Sequence, residues 1–157
     1  MPGEMSIRGI REKARLLVVD DDRAIRQLLC TIIRREQMEA DTAADGEEAI
    51  ELLKRNRYSV ILLDLMMPRV SGFDVIDWLR QNPPSFKPVV LVISAYADQR
   101  FRSVDPDVVA GVLRKPFEVA DIGNLIRFCI RGLDDEMTER LRISEDSAIR
   151  RLAELPN

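Results

Sequence analysis

Val60, Ile61, Leu62 and Leu63 form an unbroken apolar run closed by a single carboxylate, Asp64. A strand with one wet face alternates apolar and polar residues. A run without alternation fits a strand buried on both faces, as in a parallel sheet covered by helices. Pro68 and Gly72 then break the pattern, and helical spacing begins at Phe73. Asp64 is therefore expected at the carboxyl end of a buried strand, the edge outside which open parallel sheets bind ligands. On this stretch alone it is either a functional group or a cap for the next turn.

The same design recurs along the chain. Leu16 to Val19 is a second apolar run, and it ends in Asp20, Asp21 and Asp22. Three carboxylates after a buried strand are costly unless something positive sits among them. Asp22 suits a helix cap, because Ala24 to Arg35 has helical spacing through Ile25, Leu28, Leu29, Ile32 and Ile33. That leaves Asp20 and Asp21, which are either solvated or a pair suited to a hard divalent cation such as magnesium. Gln37 to Ala44 reads as a short edge strand, and Asp45-Gly46 as a turn before a helix over Gly46 to Asn56. Phe73 to Gln81 reads as a third helix with Val75, Ile76 and Leu79 on one face and Trp78 at its packing edge. Asn82, Pro83 and Pro84 stop it. Val89 to Ile93, the most apolar run, reads as a central strand ending at Ser94. Ala97 to Asp107 is poorly patterned and broken by Pro106. Val108 to Leu113 is the fifth strand, before Arg114, Lys115, Pro116 and Phe117. Glu118 to Leu133 carries an apolar stripe of Val119, Ile122, Leu125, Ile126, Cys129, Ile130 and Leu133. This alternation predicts an α/β domain, a doubly wound five-stranded parallel sheet with helices flanking both faces.

Composition narrows the function. At 157 residues with 46% hydrophobic and 32% charged residues, the chain fits one soluble domain with an appendage. Histidine is absent, which removes His-based triads and His metal sites. Cys30 and Cys129 lie in apolar helical stretches and read as core residues of a reduced, cytoplasmic protein. The net charge of -3 and the lack of a DNA-binding pattern lead to an expectation of no direct nucleic-acid binding. No apolar run spans a membrane, and the first residues lack the apolar core of a signal peptide. Residues 1–14 read as a flexible arm, 15–133 as the domain, and 134–157 as a tail or linker with helical spacing from Ser144 to Leu155. Two readings stand for that last helix: a marginal solvated helix, or a docking or dimerising helix, the latter making a homodimer.

Asp20, Asp21, Asp64, Ser94 and Lys115 all follow predicted strands, and in a parallel sheet those ends share one edge. Three carboxylates, a hydroxyl and an ammonium make a kit for phosphoryl chemistry. A carboxylate can accept the group, others can hold magnesium, and a lysine can stabilise the transferred charge. Here the chain resembles the receiver domain of two-component response regulators, the family of the bacterial chemotaxis regulator. The resemblance rests on Leu16 to Asp22, on Leu63 to Pro68 with Gly72, on Val92 to Ala95, and on Lys115 to Phe117, in the family's order and spacing. It implies Asp64 as the residue phosphorylated by a sensor histidine kinase or phosphotransfer protein, with a downstream protein partner reading the result. It implies Asp20 and Asp21 as the acidic pair, with magnesium on Asp21, Asp64 and the backbone carbonyl of Met66. Ser94 becomes the switch hydroxyl, Lys115 the phosphoryl-binding lysine, and Lys115-Pro116 a cis peptide bond. The resemblance implies no turnover of an external substrate.

Three features depart from the family pattern. Val112 stands where the family has an aromatic switch residue, the fourth helix is weak, and no output-domain pattern follows Leu133. The chain is thus a free-standing regulator or the receiver half of a longer protein. Met66 and Tyr96 would flank the phosphoryl group, and neither can position water, so slow self-dephosphorylation is expected. The rivals are few. A flavodoxin-like cofactor protein would need a loop that attracts phosphate where three aspartates stand. A haloacid-dehalogenase-like enzyme would need a second aspartate at Met66. A pseudo-receiver that signals without phosphorylation would keep the fold alone.

Overall fold

The computed structural model describes residues 14–95 and 104–132. Five strands lie parallel: β1 (Arg15–Val19), β2 (Glu39–Ala43), β3 (Val60–Leu63), β4 (Val89–Ser94) and β5 (Val109–Arg114). Their order is β2-β1-β3-β4-β5. The helices are α1 (Arg23–Arg35), α2 (Gly46–Arg55) and α3 (Gly72–Gln81), with α4 over 119–132. The architecture is the expected five-stranded doubly wound sheet. Among the described residues, expected element ends move by no more than two residues, as is usual where helices and strands fray. The arm up to residue 13, Tyr96, the stretch 97–103 and everything from Leu133, including the Ser144 to Leu155 helix, lie outside the described residues.

The pleat sorts the apolar runs into two layers. Leu16, Val18, Val60, Leu62, Leu91 and Ile93 face one side, under Leu29, Ile32 and Ile33 of α1 and Ile122, Ile126, Cys129 and Ile130 of α4. Leu17, Val19, Ile61, Leu63, Val90 and Val92 face the other, under Ala49 of α2 and Val75, Ile76 and Leu79 of α3. Trp78 packs half-buried at the edge of that second layer, as its position off the helix face predicts. All of β3 is buried, so polarity within the strand does not fix its register. Asp64 does: sliding β3 one residue along β1 would draw a carboxylate between apolar strands, where an unpaired charge is very costly. Two expected core residues are corrected. Leu28 of α1 and Val119 of α4 are 37% and 41% exposed. Each sits at the margin of its apolar stripe, where helical spacing alone cannot separate core from rim.

The helix starts are set by side chains. Asp22 caps α1, accepting from the Ala24 and Ile25 amides. Asp45 caps α2 by accepting from the Glu48 amide. Ser71 and Asp74 form a capping box on α3. Among the described residues, no helix is long and apolar enough to cross a membrane.

Candidate functional site

The order in which strands are added reverses between the parallel neighbours β1 and β3, so a crevice opens at their carboxyl ends. Val19 pairs with Leu63, which puts Asp20 and Asp64 side by side one step further on. The Asp64 amide donates to the Val19 carbonyl at 2.9 Å, and the Asp20 amide to the Ala43 carbonyl at 3.2 Å. Backbone pairing thus carries both carboxylates to the edge before it ends. Asp20 and Asp64 are buried and Asp21 is exposed. One carboxylate oxygen from each of the three lies within 4.8 Å of the others. Hard cations take such oxygen ligands, so the donor set fits a divalent ion such as magnesium.

Lys115 enters from the turn after β5. Its Nζ lies 2.7 Å from Asp20 Oδ2 and 3.6 Å from Asp64 Oδ2. Its amide donates to the Ser94 carbonyl at 2.9 Å, and the bond to Pro116 is cis, as expected. Ser94 is fully buried at the end of β4. The Met66 amide donates a long bond, 3.4 Å, to Asp64 Oδ1, and the Met66 side chain is 42% exposed. The five expected side chains and Met66 therefore all belong to one sheet edge. Tyr96, expected beside them, falls outside the described residues.

The loop after Asp64 is fixed by close backbone approach. Gly72 donates to the Leu65 carbonyl at 3.0 Å, and a Cβ on Gly72 would lie 2.2 Å from the Asp64 carbonyl oxygen. Only glycine lets α3 start this close to the strand end. Gly46 approaches Val70 in the same way, donating to its carbonyl at 3.1 Å.

The electrostatics are unbalanced. Burial first, and the neighbouring Asp20 second, push Asp64 up from 3.8 to about 6, against the pull of Lys115 and the Met66 amide. For Lys115 burial acts downward, yet the Asp20 hydrogen bond and the charges of Asp64, Asp20 and Asp21 outweigh it and raise the pKa. One ammonium serves three carboxylates. A further positive charge is therefore favoured at this edge.

One contact had no sequence signal. Arg26 Nη1 donates to the Asp20 backbone oxygen at 2.8 Å. A side chain gripping a carbonyl leaves no pattern in the sequence. The faint clue is a cation near a helix start, where the dipole disfavours it.

Comparison with known proteins identifies the family. Residues 16–127 match the family model of the response regulator receiver domain, so the chain belongs to that family of two-component signalling proteins. Among curated relatives it is 31% identical over 140 residues to the DNA-binding response regulator MtrA of Mycobacterium tuberculosis (strain ATCC 25618 / H37Rv). The match covers 85% of this chain and 58% of MtrA, so the chain spans little more than half of that relative's length. Among solved structures, chemotaxis response regulator CheY4 of Vibrio cholerae is 27% identical with a TM-score of 0.67, covering 74% of this chain and 98% of that one. Response regulator TrrA of Thermotoga maritima, in complex with magnesium and beryllofluoride, is 29% identical with a TM-score of 0.64 over 74% of this chain and 98% of its own.

The expectation of no direct nucleic-acid binding is corrected by these relatives, since MtrA is named as DNA-binding. That expectation rested on a net charge of -3 and a missing motif. A small net charge describes the average of a surface and does not exclude a local one.

Proposed function

We propose that Asp64 accepts a phosphoryl group from a sensor histidine kinase or phosphotransfer protein in a magnesium-dependent reaction, and that this modification switches partner binding. The observation that carries the reading is the convergence of three carboxylate oxygens within 4.8 Å at the switch point of the sheet, with Lys115 against two of the three residues. In this reading an Asp64 oxygen attacks phosphorus, the P–N bond of the donor phosphohistidine breaks, and the imidazole leaves with the bonding pair. Asp20, Asp21, Asp64 and the Met66 carbonyl would hold magnesium, which would supply positive charge to neutralise phosphoryl oxygens. Lys115 swings from Asp20 onto a phosphoryl oxygen, and the Ser94 hydroxyl donates to another. The TrrA complex with magnesium and beryllofluoride supports this assignment by similarity.

The domain is taken as residues 15–133, with 1–14 an arm and 134–157 a tail or linker. The protein is read as cytoplasmic, and the cycle on Asp64 as self-phosphorylation and self-dephosphorylation without turnover of an external substrate. The DNA-binding name of MtrA supports DNA as the destination of the signal.

Mass spectrometry after acetyl phosphate and magnesium tests the reading. One phosphoryl group is expected on wild type and none on Asp64→Asn. Exposed Val112, 47% accessible in β5 where the family has an aromatic ring, favours a second reading as a phosphorylation-independent module. Failure of wild type to gain phosphate, with partner binding unchanged by Asp64→Asn, would select that module. Bulky Met66 cannot position water, so the phosphorylated protein is expected to lose its group slowly; rapid loss in magnesium buffer would contradict this.

A further inference from the structure

We propose that Arg26 is a positioning residue for the acidic pocket, setting the direction of the Asp20–Asp21 peptide and through it the affinity of the three carboxylates for a divalent cation. The inference rests on reading that cluster as a magnesium site. The Asp20 carbonyl that Arg26 grips belongs to the planar peptide joining Asp20 to Asp21. Rotation of that plane would swing Asp21 away from Asp64. Besides its amide bond to the Ala43 carbonyl, Asp20 accepts at three oxygens from three partners. Its carbonyl takes the Arg26 guanidinium, its Oδ1 takes the Asp22 amide at 2.9 Å, and its Oδ2 takes Lys115.

The circuit is short and closed. Asp22 caps α1, and the first helical bond runs from the Arg26 amide to the Asp22 carbonyl at 3.0 Å. The helix thus places Arg26 one turn along from its cap, and the guanidinium reaches back to the Asp20 carbonyl. The first turn of α1 contains no acidic residue, and the helix dipole disfavours a cation there. The Asp20 carbonyl, beside a carboxylate cluster, is what anchors it. Outer contacts of this kind orient metal ligands, and their loss commonly weakens binding tenfold or more.

Titration calorimetry of magnesium into unphosphorylated wild type and Arg26→Met, with thermal melting of both in the absence of metal, tests the inference. Positioning predicts about tenfold weaker magnesium binding in Arg26→Met. Coulomb's law alone predicts the opposite sign, because deleting a cation beside carboxylates favours a dication. Unchanged or tighter binding in Arg26→Met therefore overturns the inference, even where the melting temperature falls. Wild type that binds no magnesium overturns the metal reading and this inference together, whereas equal binding by both proteins overturns this inference alone. Should Arg26→Met fail to fold, the guanidinium resonances of wild type decide. They are expected to shift as magnesium is added, and constancy overturns the proposal.

Discussion

Each end of the sheet holds a polar cluster, and the two are built on opposite principles. At the amino end, Tyr58 donates to Asp41 Oδ2 at 2.6 Å, and Arg15 reaches the same oxygen at 2.8 Å. Arg15 also donates to Asn56 at 3.1 Å and lies 5.8 Å from the Tyr58 ring centre. One carboxylate meets one guanidinium, and the buried hydroxyl is satisfied. Burial, reinforced by the bond to Asp41, raises the Tyr58 pKa and keeps the phenol neutral. At the carboxyl end, three carboxylates share the Lys115 ammonium, and Asp64 is pushed up to about 6. A matched cluster holds strands together. An unmatched one stores repulsion that a cation or a modification can relieve, which is what a switch requires.

The largest expected effect removes the excess charge. Asp64 binds its proton more tightly folded than unfolded, so protonation favours the fold. This contribution is complete below 3.8 and lost as pH rises through about 6. At about 1.4 kcal/mol per pH unit, ionised Asp64 costs the metal-free protein about 3 kcal/mol at pH 7. Asp64→Asn is therefore expected to be more stable than wild type by up to that amount at pH 7, with the gap closing toward pH 4. Urea unfolding of both proteins in chelator across that range measures it. A gap that stays constant with pH would erase the contrast between the two ends.

The next effect removes the only cation touching these carboxylates among the described side chains. Breaking a buried ion pair by deleting one partner costs about 3–5 kcal/mol. The Lys115 side chain is 19% exposed and Asp21 faces solvent, so Lys115→Met is expected to lose about 2 kcal/mol in chelator. Saturating magnesium should recover part of that loss, since it supplies the missing charge. If magnesium leaves the loss untouched, the lysine is a packing element and the cluster is not short of positive charge.

Much of this contrast was legible in the sequence at one end and little at the other, for physical reasons. Strands buried on both faces exclude polar residues, so β1, β3 and β4 announce themselves as runs, and the residue that ends each run marks the edge. Parallel strands then force Asp20, Asp64 and Ser94 together without any knowledge of side-chain geometry. Lys115 could be placed at that edge, but its shorter contact with Asp20 than with Asp64 depends on how a flexible stem packs. Arg26 binds a carbonyl, which no residue pattern encodes. The amino-end cluster joins Arg15, Asp41, Asn56 and Tyr58 from separate elements whose polar residues look like ordinary strand flanks. The nucleic-acid expectation conflicts with the DNA-binding name of MtrA, and net charge, a whole-chain average, is a poor guide to such a question.

The smallest effect belongs to that quieter end. Tyr58→Phe deletes the hydroxyl and leaves Asp41 paired with Arg15, so no buried charge is stranded. The loss is that of one hydrogen bond to a charged partner, tempered by the surviving ion pair, about 1 kcal/mol. It is expected to be the same with or without magnesium, because Asp41 keeps its guanidinium partner in the variant. Phosphorylation of the variant by acetyl phosphate should proceed as in wild type. A changed phosphorylation rate, or a magnesium-dependent loss, would mean that the two ends communicate through β1 and β3, the strands that carry Arg15 and Tyr58 at one end and Asp20 and Asp64 at the other.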